Sequence, residues 1–207
     1  MNATRRITLI AIFISLAIAT DYAMAPIYNV KLVFTLVFAS AYSFGFRVGA
    51  TVAILTELIW GTISPEGFGG MIIPFLMAAT VIYAVAGWGA SKIWGLEIKP
   101  FSSLSLVFGS ILAVCAFAWD TITNFATGLL VLWPSNITFS RLLLFEINPL
   151  TIYFMVSHEL GDFVIGSALA PIIIVYFLRI FGKQRDLFSK KQIELGQSGS
   201  PMQIKEE

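Results

Sequence analysis

A chain of 207 residues that is 57% hydrophobic and only 12% charged, with a mean hydropathy of +0.85, is too apolar for a soluble globule, which needs more polar surface than this composition supplies. The composition reads as an all-α integral membrane protein. A net charge of +1 with no basic cluster interleaved with aromatics excludes a nucleic-acid groove, and a lone cysteine, Cys115, excludes an internal disulfide or a cysteine-built metal site.

The opening, MNATRRITLIAIFISLAIATDYAMAP, has the arginines, apolar run and small Ala23-Met24-Ala25 pattern of a secretory leader. Its apolar run is nevertheless long enough to span, Asp21 and Tyr22 interrupt the cleavage region, and Pro26 would follow the cut. It reads as a retained first helix. A spanning helix needs ~20 mostly apolar residues, and six stretches qualify, at about 6–25, 30–45, 48–63, 71–94, 102–132 and 149–181. FGFRVG makes a tight turn between the second and third, and GTISPEGFGG separates the third from the fourth with residues no spanning helix would keep. WGLEIKPF closes the fourth, LWPSNITFSRLLLFEINP lies between the fifth and sixth, and Pro171 is expected to kink the sixth. Residues 1–182 thus form one six-helix membrane domain. From 183 to 207 the chain turns polar and charged, as a largely disordered cytoplasmic tail would.

Alternating the six spans across a bilayer tests this count. With both termini in the cytoplasm, the inner side carries Arg5, Arg6, Arg47, Lys92, Lys99, Arg179, Lys183, Arg185, Lys190, Lys191 and Lys205, and the outer side only Lys31 and Arg141. That bias follows the positive-inside rule, so helix count and orientation support each other.

Carboxylates divide the other way: Asp21, Glu57, Glu66, Asp120, Glu146, Glu159 and Asp162 fall in outer loops or within spans, and Glu97, Asp186, Glu194, Glu206 and Glu207 inside. Ionisable groups within a span are costly and face a cavity or a partner. On the fifth helix Asp120, Asn124 and Thr127 recur at spacings of four and three and share a face, with Thr123 beside them and Trp119 and Trp133 bracketing the region. On the sixth, SHELGDFVIG puts His158 and Asp162 on one face with Glu159 adjacent. The fifth helix runs outward and the sixth returns, so these faces meet in the outer half, and an outward-opening polar pocket is expected. Two readings stand: the residues hold a ligand, or they are hydrogen-bonded ties between helices. His158-Glu159 looks like part of a zinc-protease helix, but Asp162 stands where the second histidine is needed and the chain has no other histidine. No metal or cofactor is therefore expected.

The loop SPEGFGG, with Pro65, Gly67, Phe68, Gly69 and Gly70, lacks the Lys and Ser/Thr of a phosphate loop and suits a hinge or lid over the pocket, or an ordinary surface turn. On the first helix Ala11, Ser15, Ala19 and Ala23 form a flat stripe at four-residue spacing, which suits close approach of another helix, from the same chain or from a partner.

RRITLIAIFISLAIA followed by NVKLVFTLVFASAYSFGFRVGATVAIL, on six short-looped helices, resembles the substrate-binding S component of an energy-coupling factor (ECF) transporter over about residues 5–181. The resemblance implies capture of a water-soluble vitamin or related micronutrient outside the cell membrane. It implies that Ala11, Ser15 and Ala19 contact a membrane-embedded coupling subunit driven by two cytoplasmic ATP-binding cassette ATPases, and that loops near 21–29 and 61–70 close over the substrate. It implies a site built from Asp120, Asn124, His158, Glu159 and Asp162, with Trp60, Trp119 and Trp133 available to stack on a flat ring. The surplus of acids near the pocket favours a cationic or neutral ring over a multiply charged anion. Other classes are a stand-alone secondary transporter or channel with an Asp120 or His158 proton relay, and a membrane hydrolase using His158 and Glu159. In the first class no catalysis occurs on this chain, and its partners are the coupling module, the small solute and the bilayer.

Overall fold

Apolar runs bounded by glycine, proline and Asx residues become helices almost where the punctuation puts them. The computed structural model describes residues 3–27, 30–65, 67–96, 98–132 and 138–198, with side chains as far as Phe181. Glu66, Glu97, Trp133, the side chains from 182 onward and residues 199–207 lie outside the described residues. In chain order the helices are α1 (Ala3–Met24), α2 (Val33–Phe44), α3 (Phe46–Ile63), a single 3-10 turn (Gly70–Ile72), α4 (Ile73–Trp94), α5 (Ser103–Leu132), α6 (Phe139–Glu146) and α7 (Pro149–Ser198). The described residues contain no strand. This is a helical, multi-pass membrane protein by length and composition: α1, α3, the 70–94 segment, α5 and the 149–181 part of α7 are each long and apolar enough to cross a bilayer.

α2 differs from the span expected at 30–45. Its 12 residues rise only about 18 Å against a hydrocarbon core of about 30 Å. Every residue from Val33 to Tyr42 is buried, so α2 is the hub of the bundle, wrapped by α1, α3, α4 and α7. Helix ends follow local chemistry. Gly45, at φ 94°, takes a conformation that an L side chain resists and turns α2 directly into α3. α6 lies in the segment between the fifth and sixth apolar stretches and starts at Thr138, whose hydroxyl accepts the Arg141 N–H. At the start of α7 the Asn148 side chain accepts the N–H groups of Leu150 and Thr151, each at 3.0 Å, while Pro149 occupies the first helical position, where its missing N–H costs nothing. Pro171 lies inside α7, which continues through it and on to Ser198, so helical backbone extends into the polar region that begins at 183.

Small residues decide which helices touch. α5 and α7 run antiparallel, with Asp120 opposite His158 and Gly109 opposite Ser167. A methyl group on Gly109 would fall 2.0 Å from Ser167 Oγ and 2.5 Å from the Phe163 carbonyl oxygen, so only glycine permits this crossing. Gly87 plays the same part where α4 meets α2: a Cβ there would lie 2.2 Å from the Phe38 carbonyl oxygen. Rings fill the remaining core, among them Phe13 on Phe177 (4.5 Å between centroids), Phe38 on Phe108 (5.3 Å) and Phe34 stacked on Tyr83 (4.6 Å).

The bundle has two chemically distinct ends. At one, the start of α1, the α2–α3 turn, the α4–α5 connection and Phe177–Phe181 of α7 come together: Arg5 bonds the Phe181 carbonyl and lies over its ring, Phe44 packs on Phe181, and the Tyr42 hydroxyl donates to the Gly95 carbonyl. Arg5, Arg6, Arg47, Lys92, Lys99 and Arg179 lie at this basic end. Toward the other, acidic end lie Asp21, Glu57, Asp120, Glu146, Glu159 and Asp162, with Lys31 and Arg141 as the described cations.

Candidate functional site

Asp120 on α5 meets His158 and Asp162 on α7, as their shared faces require. His158 Nδ1 lies 3.0 Å from an Asp120 carboxylate oxygen, and Nε2 lies 3.9 Å from Asp162, beyond hydrogen-bonding reach. The spacing gives the ring its orientation: Nδ1–H donates to Asp120, and Nε2 is left without a partner. Asp162 in turn accepts from the Tyr83 hydroxyl of α4 at 2.7 Å. Asp120, His158 and Asp162 are 4%, 1% and 1% exposed. The sequence reading expected an open pocket between these faces; in the structure they are in direct contact. A hydrogen bond made in place of water is what a low-dielectric interior demands of buried polar groups.

A second polar run joins the first through aromatic rings. Trp119 Nε1–H donates to the Thr80 hydroxyl at 2.9 Å, and that hydroxyl donates to Glu57 at 3.0 Å, linking α5, α4 and α3. The Trp119 and His158 rings meet edge to face at 5.3 Å, and Phe34, at the start of α2, touches both. Above lies a further cluster. Trp60 is 4% exposed, with the Lys31 ammonium 5.0 Å from its ring centre and the Tyr22 ring against its edge. The Tyr22 hydroxyl donates to the Ile63 carbonyl, tying α1 to the end of α3. Asp21 is buried against the first backbone N–H groups of α2, near Lys31 and Glu57.

The residues named from sequence therefore separate into groups. Asp120, His158, Asp162 and Trp119 belong to the buried network. Trp60 is covered by Lys31 and Tyr22 rather than open as a stacking platform. Asn124, Thr127 and Glu159 are half-buried on its outer side; the Thr127 hydroxyl turns back to the Thr123 carbonyl, and no hydrogen bond among the described residues joins Asn124 to the network. Glu146, at the end of α6, completes this outer rim: both its carboxylate oxygens are buried without a partner, and burial first, then the Asp120 charge, hold its carboxyl above the ordinary glutamate range. Glu159 also lies within electrostatic reach of Asp120 and His158.

Nothing in the sequence marks Tyr83 and Thr80 as site residues, and it places Glu146 only among the outer acids. Thr80 and Tyr83 stand three apart in an otherwise apolar run, a spacing that puts both on one helix face; nothing in α4 itself says that this face meets Asp162. Among the described residues no group of three or more His, Cys, Asp or Glu is placed to hold a metal ion.

The loop of Pro65, Gly67, Phe68, Gly69 and Gly70 folds back on α3, with Gly69 N–H donating to the Gly61 carbonyl at 2.7 Å, and its 3-10 turn packs against α4 and α5. Phe68 and Met71 stand out from the bundle, 73% and 76% exposed. On α1 the buried face is Leu9, Phe13, Ala17 and Asp21, so the stripe of Ala11, Ser15, Ala19 and Ala23 points away from the bundle and is exposed throughout. Packing among the described residues does not use it. Models of known protein families, curated proteins and solved structures contain no match to this chain.

Proposed function

We propose that this protein is the substrate-capturing subunit of an ECF-type importer, crossing the cell membrane six times with both termini in the cytoplasm, the short α2 making its crossing buried among the other helices instead of against lipid. On this reading it binds a small solute of the water-soluble vitamin class at the acidic, extracellular end. It passes the solute on through a membrane coupling subunit driven by two ATPases. The observation that carries the reading is the convergence of polar groups from α3, α4, α5 and α7 at one end of an otherwise apolar bundle, since burying such groups in a membrane protein is costly and marks a functional region. The outward-facing small-residue stripe supplies a smooth surface for a partner helix, and the clustering of cations at the opposite end agrees with cytoplasmic termini. Asn124, Thr127, Glu146 and Glu159 are the groups available to meet a solute. Because Asp120 and His158 are closed on one another, admitting a ligand to them requires this contact between α5 and α7 to open.

A second reading, a stand-alone proton-coupled transporter, is favoured by the two polar runs, Glu57–Thr80–Trp119 and Asp120–His158–Asp162–Tyr83, which meet at Trp119 and His158. One experiment separates the two. The compound that co-purifies with the protein is identified by mass spectrometry, and its uptake is measured in vesicles containing this chain alone. Binding without uptake supports the capture subunit, and adding the coupling module with ATP should then start transport. Ala19→Leu should stop that transport while leaving binding intact. Uptake by the chain alone, driven by a proton gradient and without ATP, would overturn the first reading in favour of the second.

A further inference from the structure

At the basic end, a groove of about 600 Å³ runs between the α4–α5 connection and α7. Its polar edge is Lys99, Ser102 and Arg179, and its walls include Leu104, Val175 and Leu178. Three features coincide there. Lys99 and Arg179 reach the groove from different parts of the chain, both are exposed, and neither ion-pairs with a carboxylate among the described residues. The groove also includes the first turn of α5, a 30-residue helix whose dipole favours an anion at this end. The Ser102 hydroxyl, donating to the Lys99 carbonyl at 2.8 Å, holds the connection in the turn that leads into that helix.

Two cations and a helix start suit a phosphate group, but the rest of the groove does not suit a soluble one. Apart from Lys99, Ser102 and Arg179 its lining is wholly apolar: Leu96, Ile98, Leu104, Val175 and Leu178. A small hydrated anion would leave that surface uncovered. An anionic phospholipid satisfies both parts, its phosphate between Lys99 and Arg179 and its acyl chains along Leu104, Val175 and Leu178. The basic end is also where membrane charge asymmetry places anionic lipid, since that leaflet attracts basic segments.

The geometry points to a binding site for the phosphate and proximal acyl chains of an anionic membrane phospholipid, formed by Lys99, Arg179 and the start of α5. The site is independent of whatever the acidic end binds. It pins the α5–α7 pair, whose other end carries the Asp120–His158 contact, to the leaflet.

The full chain in detergent, titrated with phosphatidylglycerol or phosphatidylcholine and read by native mass spectrometry, tests this. The wild type should retain phosphatidylglycerol about thirtyfold more tightly than phosphatidylcholine, which is about 1 kcal/mol for each of the two cations. Lys99→Gln with Arg179→Gln should remove that preference without changing the melting temperature, and each single variant should remove part of it. Arg47→Gln, at the same end but outside the groove, should leave it intact. Equal retention of the two lipids, or an equal loss in Arg47→Gln, would overturn the proposal in favour of diffuse surface charge. Displacement of phosphatidylglycerol by an equal concentration of inorganic phosphate would overturn it in favour of a soluble anion.

Discussion

At the acidic end of the bundle Asp120, His158 and Asp162 lie inside, held by hydrogen bonds across helices; at the basic end Lys99 and Arg179 lie outside, on a groove with apolar walls. Asp120, His158 and Asp162 are almost completely buried, whereas Lys99 and Arg179 are exposed. The difference is one of dielectric surroundings. A buried donor or acceptor that loses its partner keeps the whole cost of its desolvation, so removing one should be felt throughout the fold. An exposed cation is already solvated, so removing it changes what the surface attracts and leaves the fold nearly untouched.

Substitutions at four positions break or sharpen that contrast. The largest effect is expected from Asp120→Ala, which leaves His158 with both ring nitrogens unpartnered and should cost about 2 kcal/mol of stability, read as a lower midpoint in thermal unfolding. Asp120→Asn, which keeps an oxygen to accept Nδ1–H, should recover most of it. An unchanged midpoint together with lost ligand binding would make Asp120 a ligand contact instead of a helix tie. Next, Tyr83→Phe removes the donor to Asp162 and should cost about 1 kcal/mol, a value that chemical denaturation resolves; no change would mean that Asp162 is satisfied in another way.

Glu146→Gln should act through pH. Its carboxyl is raised by burial and by Asp120, so its favourable contribution is complete below the unfolded-state value, near the ordinary 4.5, and is lost as pH rises through the raised folded-state value. Between those limits the wild type should lose melting temperature faster than the Gln variant, and parallel curves would show that Glu146 is solvated. The smallest effect belongs to the basic end. Lys99→Gln should move stability by less than about 0.5 kcal/mol, and a larger loss would show that the groove cations hold the fold together.

Much of the architecture was readable along the chain because lipid makes a simple demand. Runs of apolar residues long enough to cross, broken by Gly45, by Pro65 with its glycines, and by Asn148-Pro149, set helix limits within a few residues of those observed, except at the end of α7, expected at about 181 and observed at Ser198. That the Asp120 face of α5 meets the His158–Asp162 face of α7 was readable too, since four-residue spacing places groups on one face and antiparallel neighbours bring those faces to one depth, but not that Asp120 and His158 close on each other where a pocket was expected. Three features were not. α2 is a short, wholly buried hub, which an apolar run alone does not distinguish from a span. α6 depends on capping by Thr138 and on Leu142 and Phe145 packing near Gly128, contacts distant in the pattern. Trp60 was expected to be open but is covered by Lys31 and Tyr22, residues from other segments.

By itself the sequence determined the class of molecule, the helices and the separation of charge between the two ends, because each follows from one-dimensional rules of hydropathy, spacing and charge placement. Tertiary structure decided which polar groups are satisfied and which face outward. Glycine contacts at Gly87 and Gly109 set how closely the helices approach, and that approach turns Asp120 and His158 into a closed hydrogen bond, brings Tyr83 and Thr80 to meet Asp162 and Glu57, and leaves the Ala11 to Ala23 stripe free on the outside.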